Sequence, residues 1–322
     1  MKNARLHLLA PLLALILIGC RWADPASAAV AATAATQCAI ATKTAPVGDG
    51  TMVYNSAGTG PTLLLLHGLF ANKEQWNTLL CLLAEAGYTA IAVDLPGYGK
   101  SAGYSLEDYR LERQATLLRD FSRQLGIAQL DVAGSSMGGT IATLYADRYR
   151  GQVRSLAYIG APLGVIGWGP QLRRAFFRGI NAFIPVTGYQ FELELRLLFM
   201  TPPTIPTPEK RAIVGEYVTH NRHYVQVWDI VNLYDDILRR RPMPELPTLI
   251  LWGQEDRIYP VAGAGTLQQV SPHSELHTLP AAGHLLLMED ADEVVKLYVP
   301  FLHRQGEQKR ATDIGGTHPI QR

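Results

Sequence analysis

The sequence predicts an α/β fold: a mostly parallel sheet with helices on both faces and an inserted helical cap. Three observations point there. The run 62–66 is continuously apolar, as for a strand buried on both faces, and 88–93, 130–133, 153–159 and 247–252 read as further strands. Helix-prone stretches separate the first four, and strands alternating with helices make a parallel sheet. The alternation then stops after residue 162 and resumes near 242, and the chain between is mostly helical in pattern and unusually apolar.

The elements follow in order. Residues 1–22 read as a targeting segment, with Lys2 and Arg5 ahead of an apolar run over 6–18, short of the roughly 20 residues of a membrane span. The run ends in Leu17-Ile18-Gly19-Cys20, which resembles a bacterial lipobox; lipidation at Cys20 would anchor the protein in the cell envelope. Arg21 follows in place of an inner-membrane-retention aspartate, which favours the outer membrane. The rival cleavage site is after Ala28, at Ala26-Ser27-Ala28. Residues 23–37, rich in Ala, Ser and Thr, read as a linker.

The core is expected over 38–162 and 242–304, the cap over 163–241, and a polar disordered tail over 305–322. Residues 39–56 hold one or two antiparallel edge strands, and 74–86 an amphipathic helix stopped by Gly87. Ser105 and Asp108 have the spacing of a capping box opening a helix to about 125. A last strand is expected at 276–279 and a last helix at 292–302. In an oxidising compartment Cys38 and Cys81 could pair, but the apolar run around Cys81 equally suits a buried free thiol.

Composition excludes some functions. A 322-residue chain with 48% hydrophobic residues and net charge +1 has no basic stripe for nucleic acid. Gly99-Lys100-Ser101 is not a nucleotide-binding loop, since the glycine needed five places before Gly99 is Asp94. Neither metal nor cofactor is implied.

The chemistry concentrates at Gly134-Ser135-Ser136-Met137-Gly138, between a strand and a helix-prone run. A Gly-x-Ser-x-Gly in that context is the pattern of a nucleophile elbow. Small residues at −2 and +2 select Ser136, because Ser135 would place Met137 at +2. A serine hydroxyl needs a base, and His284 follows Gly283 after the last predicted strand, at the carboxyl edge. Asp256, after Trp252-Gly253, supplies a carboxylate at that edge, with Glu255 its neighbouring rival. Asp235 and Asp236 read as a solvated cap helix, and Glu289 and Asp290 as a solvated helix start. His67 reads as loop-shaping; His220, His223, His273, His277, His303 and His318 lack a motif.

His67-Gly68, the stretch 94–101, 134–139, 252–256 and Gly283-His284 occur together in the order nucleophile, acid, histidine. Over about residues 50–304 the chain therefore resembles the α/β-hydrolase superfamily, and within it the capped serine esterases and lipases of bacteria and the monoacylglycerol lipases. The resemblance implies a triad of Ser136, His284 and Asp256, with oxyanion donors from the backbone N–H of Met137 and of Leu69, Phe70 being the fallback. It implies a small-molecule acyl ester substrate; a single-Gly His-Gly goes more often with medium or longer acyl chains. Serine at the nucleophile position argues against the haloalkane dehalogenases and epoxide hydrolases of this fold, which carry aspartate. Two alternatives stay open: a C–C bond hydrolase with the same triad, and a non-catalytic lipid-binding envelope protein.

Overall fold

The computed structural model describes residues 38–315, with side chains to 306. The leader with Cys20, the linker over 23–37, and residues 316–322 with His318 lie outside the described residues. Eight strands form one sheet in the order β1-β2-β4-β3-β5-β6-β7-β8. β1 (Ala41–Val47) and β2 (Gly50–Ala57) are the antiparallel edge. β3 (Thr62–Leu66), β4 (Thr89–Val93), β5 (Leu130–Gly134), β6 (Val153–Ile159), β7 (Thr248–Gly253) and β8 (Ser274–Leu279) are parallel to one another.

Both faces of the sheet are covered, which is why β3, β4 and β7 carry no polar alternation. One face packs Leu79, Leu80 and Leu83 of α1 (Asn77–Glu85) with Val294, Tyr298 and Phe301 of the last helix. The other packs Leu117, Leu118 and Phe121 of α2 (Leu111–Gln124) and Ile141 and Tyr145 of α3 (Met137–Arg148). Between β6 and β7 come α4 (Pro170–Phe177), α5 (Gly188–Leu198), α6 (Thr207–Thr219) and α7 (Asn221–Asn232). After β7 come α8 (Ala262–Val270), α9 (Leu286–Glu289) and α10 (Ala291–Gly315).

Register sets where the chemistry emerges. Leu66 pairs with Val93 on one side and Gly134 on the other, so β3, β4 and β5 end level. His67-Gly68, Asp94 and Ser135-Ser136 leave the sheet side by side at its carboxyl edge, where ligands bind in open α/β sheets.

At two places the structure corrects the expectation. The contact between Ser105 and Asp108 forms, with Ser105 N–H donating to the carboxylate at 2.9 Å. It opens only a short 3-10 turn, Leu106–Tyr109, because Arg110 is extended at ψ 136° and α2 starts afresh at Leu111. The last helix does not stop near 302: α10 continues to Gly315 through a stretch rich in good helix formers, so the expected disordered tail is helical that far. A third point, left open by the sequence, is decided. Cys38 and Cys81 are joined in a disulfide, 5.5 Å between Cα atoms, that ties the start of the described chain to α1.

Candidate active site

The turn after β5 is built around two glycines. A Cβ on Gly134 would lie 2.2 Å from the Gly138 carbonyl oxygen, and one on Gly138 would lie 2.1 Å from that of Leu66. Only glycine fits either place, and the close approach forces Ser136 to φ 53°, ψ −121°. Such backbone strain costs of order 1–3 kcal/mol and persists where surrounding packing imposes it. The two serines differ: Ser135 is fully buried with its hydroxyl unpartnered, whereas Ser136 is half-buried and faces a cavity.

Asp256 and His284 meet in the interior. His284 Nδ1 lies 2.8 Å from Asp256 Oδ2, and the two residues are 2% and 6% exposed, in that order. Asp256 Oδ1 accepts the backbone N–H of Ile258 at 2.8 Å and of Tyr259 at 2.9 Å. Both carboxylate oxygens are thus engaged, which fixes the carboxylate and, through it, the imidazole. Glu255 has an exposed side chain and no such contact. The Tyr259 ring lies 5.8 Å from the imidazole and lines the same cavity as Ser136. Among the described residues no hydrogen bond joins His284 to Ser136. Nucleophile–base contacts are often long without substrate and tighten when it binds.

The loop after β3 is held by His67, in the loop-shaping role its motif suggests, and by Gln75, which carries no motif. His67 Nε2 accepts Leu95 N–H at 3.1 Å, so its proton sits on Nδ1, which donates to the Gly68 carbonyl at 2.8 Å. Complete burial lowers the His67 pKa to about 4, so the ring is a neutral brace. Gly68 N–H is spent on Gln75 Oε1 at 3.2 Å. That leaves Leu69 and Phe70, whose N–H groups, like that of Met137, have no acceptor among the described residues. Leu69 lines the cavity with Ser136 and Met137, whereas Phe70 sits at φ 56° and packs against Tyr224 at 5.1 Å. Phe70 and Ser136 are the two non-glycine residues with positive φ among those described.

The stretch 94–101 is structural. Asp94 takes Lys73 N–H at 2.8 Å, the Lys73 ammonium at 2.9 Å and Lys100 N–H at 2.8 Å, with the Asp94 and Lys73 side chains out of water. Burial alone would lower the Lys73 pKa, but Asp94 and Glu74 outweigh it and hold the ammonium above its ordinary value. A Cβ on Gly99 would strike the Asp94 carboxylate at 2.3 Å.

The cavity over Ser136 measures only about 20 Å³, enough for roughly one water. Trp168, Phe183, Trp228 and Tyr259 wall it, with Trp168 stacked on Tyr259 at 4.9 Å and Phe183 on Trp228 at 5.4 Å. Phe176 of α4 packs against Trp228 in the same cluster, while the next residue, Phe177, points outward 90% exposed beside Arg173, Arg174 and Arg178.

Of the two acids read as a solvated helix start, half-exposed Asp290 is one, accepting Glu293 N–H at 3.2 Å in the first turn of α10. Glu289 instead accepts three backbone N–H groups. Among the other histidines, His223 contacts the Gly97 carbonyl at 3.2 Å and His277 pairs with Glu275. No group of three or more His, Cys, Asp or Glu among the described residues could hold a metal ion. No helix among them is long and apolar enough to cross a membrane.

Comparison with known proteins gives consistent findings. Residues 61–291 match the family model described as alpha/beta hydrolase fold. Lipase 1 of Psychrobacter immobilis is 28% identical over 257 residues, covering 78% of this chain and 80% of that one. Monoacylglycerol lipase ABHD6 of Bos taurus is 27% identical, covering 76% of each. A crystal structure of a membrane phospholipase A, described as a bacterial virulence factor, superposes with a TM-score of 0.75 at 30% identity, over 83% of this chain and 86% of that one.

Proposed function

The chain belongs to the alpha/beta hydrolase family, and from that premise we propose that it is a serine carboxylic-ester hydrolase acting on acyl esters of lipids. The observation that carries the reading is the buried 2.8 Å contact between Asp256 and His284, at the sheet edge where Ser136 sits strained on its turn. Ser136 Oγ attacks the ester carbonyl carbon while His284 Nε2 takes its proton; Asp256 fixes the tautomer and stabilises the imidazolium. The oxyanion is held by the N–H groups of Met137 and Leu69, one such donor being worth roughly 3 kcal/mol. The imidazolium returns the proton to the departing alcohol, and water, deprotonated by His284, then cleaves the acyl-enzyme.

The aromatic lining supports an apolar acyl group, as do relatives that are themselves lipases. Those relatives favour ester over C–C bond hydrolysis and over a non-catalytic role. A substrate larger than water requires the wall of Trp168, Phe183 and Trp228 to part. The protein is lipid-anchored through Cys20 in the bacterial envelope; the Cys38–Cys81 disulfide suits that oxidising setting. Exposed Phe177 among arginines suits work beside a lipid surface.

The test is a panel of p-nitrophenyl esters from about two to sixteen carbons, run on wild type and Ser136→Ala together. Turnover should extend to medium or long chains and fall by several powers of ten in the variant. Activity on acetate alone would remove the lipid reading, and an unimpaired Ser136→Ala the mechanism. Radiolabelled palmitate should enter wild type and not Cys20→Ser; equal entry would end the anchor proposal.

A further inference from the structure

The two loops that carry Asp256 and His284 do not end on the sheet; they are sewn to the cap. α5 finishes at Leu198, and a helix C-terminus leaves carbonyls without partners. Here the core supplies the donors. Arg257, next to Asp256, donates from Nη1 to the Arg196 carbonyl at 2.7 Å. Leu285, next to His284, donates its N–H to the Leu198 carbonyl at 3.1 Å. Beyond the helix, Met200 and Thr201 turn their N–H groups to Glu289 Oε1 at 2.8 and 3.1 Å. The other oxygen of that carboxylate, Oε2, accepts Gly283 N–H at 2.6 Å.

One carboxylate therefore holds the residue before His284 with one oxygen and the cap with the other. The fit leaves no slack: a Cβ on Gly283 would lie 2.6 Å from Met200 N and 3.0 Å from Glu289 Oε2. The glycine before the histidine is thus where cap, carboxylate and catalytic loop close on one another.

We propose that Glu289 is a positioning residue for His284, and that through it the seating of the α5 end against the core sets the aim of the imidazole. The proposal rests on the triad reading above. Asp256 fixes the ring from Nδ1, but the loop that delivers the ring is fixed by Glu289. A misplacement of about 1 Å in a catalytic group can cost on the order of a hundredfold in rate.

The experiment is a double-variant cycle read on a soluble short-chain ester, with thermal melting of every variant. Glu289→Ala should lower kcat about tenfold to a hundredfold with KM little changed, and Glu289→Gln, which keeps one acceptor oxygen, should lose less. In His284→Ala, adding Glu289→Ala should cost nothing further, because the group it positions is gone. Glu289→Ala with a wild-type kcat, or one that multiplies the loss in His284→Ala by the same factor, would overturn the proposal. If Glu289→Ala fails to fold, the comparison runs on Glu289→Gln, where equal kcat loss with and without the imidazole again overturns it. His284→Ala at wild-type rate would sink the triad reading and this proposal with it, and that arm tells the two failures apart.

Discussion

Burying His67 without charge makes stability acid-sensitive in a defined window. The folded-state pKa, about 4, lies below the ordinary 6.5. Between those values the unfolded chain holds the proton and the folded chain does not, so stability rises with pH there. His67's contribution is complete above about pH 6.5 and is lost as pH falls toward 4. That lowering of the pKa corresponds to roughly 3 kcal/mol, of which about 2 kcal/mol is gone by about pH 5. His67→Asn removes the titrating ring and, near neutral pH, costs about 1–3 kcal/mol by orphaning Leu95 N–H. Urea unfolding of both proteins from about pH 7.5 to about pH 4.5 should show wild type losing its advantage as the pH drops. A stability difference that stays constant across that range would refute the buried neutral brace.

Three further outcomes follow. Asp256→Asn keeps an Oδ1 for Ile258 and Tyr259 but favours the wrong tautomer, so kcat should fall on the order of 10⁴-fold with melting little changed; a loss under about tenfold would contradict the acid's assignment. Trp228→Ala opens the aromatic wall and should raise the ratio of long-chain to short-chain ester turnover at a stability cost of about 3 kcal/mol; an unchanged ratio would mean this wall does not set chain length. Cys81→Ser removes a crosslink spanning 43 residues and should destabilise by about 4 kcal/mol in the chain-entropy account; equal denaturation midpoints for the two proteins would count against that bond.

What the sequence made legible is local and periodic. β3 occupies the apolar run 62–66, and the two glycines around Ser136 announce a turn with no room for side chains. What it hid depends on distant parts of the chain. Glu289 looked like any acid near a helix start, since its partners Met200 and Thr201 lie 89 and 88 residues away. Gln75 carries no motif, yet it uses up Gly68 N–H and so narrows the candidate oxyanion donors on that loop to Leu69 and Phe70. The pairing of Cys81 depended on where residue 38 crosses α1, which no local pattern encodes. The Ser105–Asp108 contact was legible, but the extended Arg110 that limits it to one turn was not.

Peptide mapping by mass spectrometry after reaction with a fluorophosphonate identifies the nucleophile directly. One adduct is expected, on Ser136, absent from Ser136→Ala and strongly slowed in His284→Ala. An adduct on Ser135 or elsewhere, or none on wild-type protein that is folded and hydrolyses esters, would contradict that assignment.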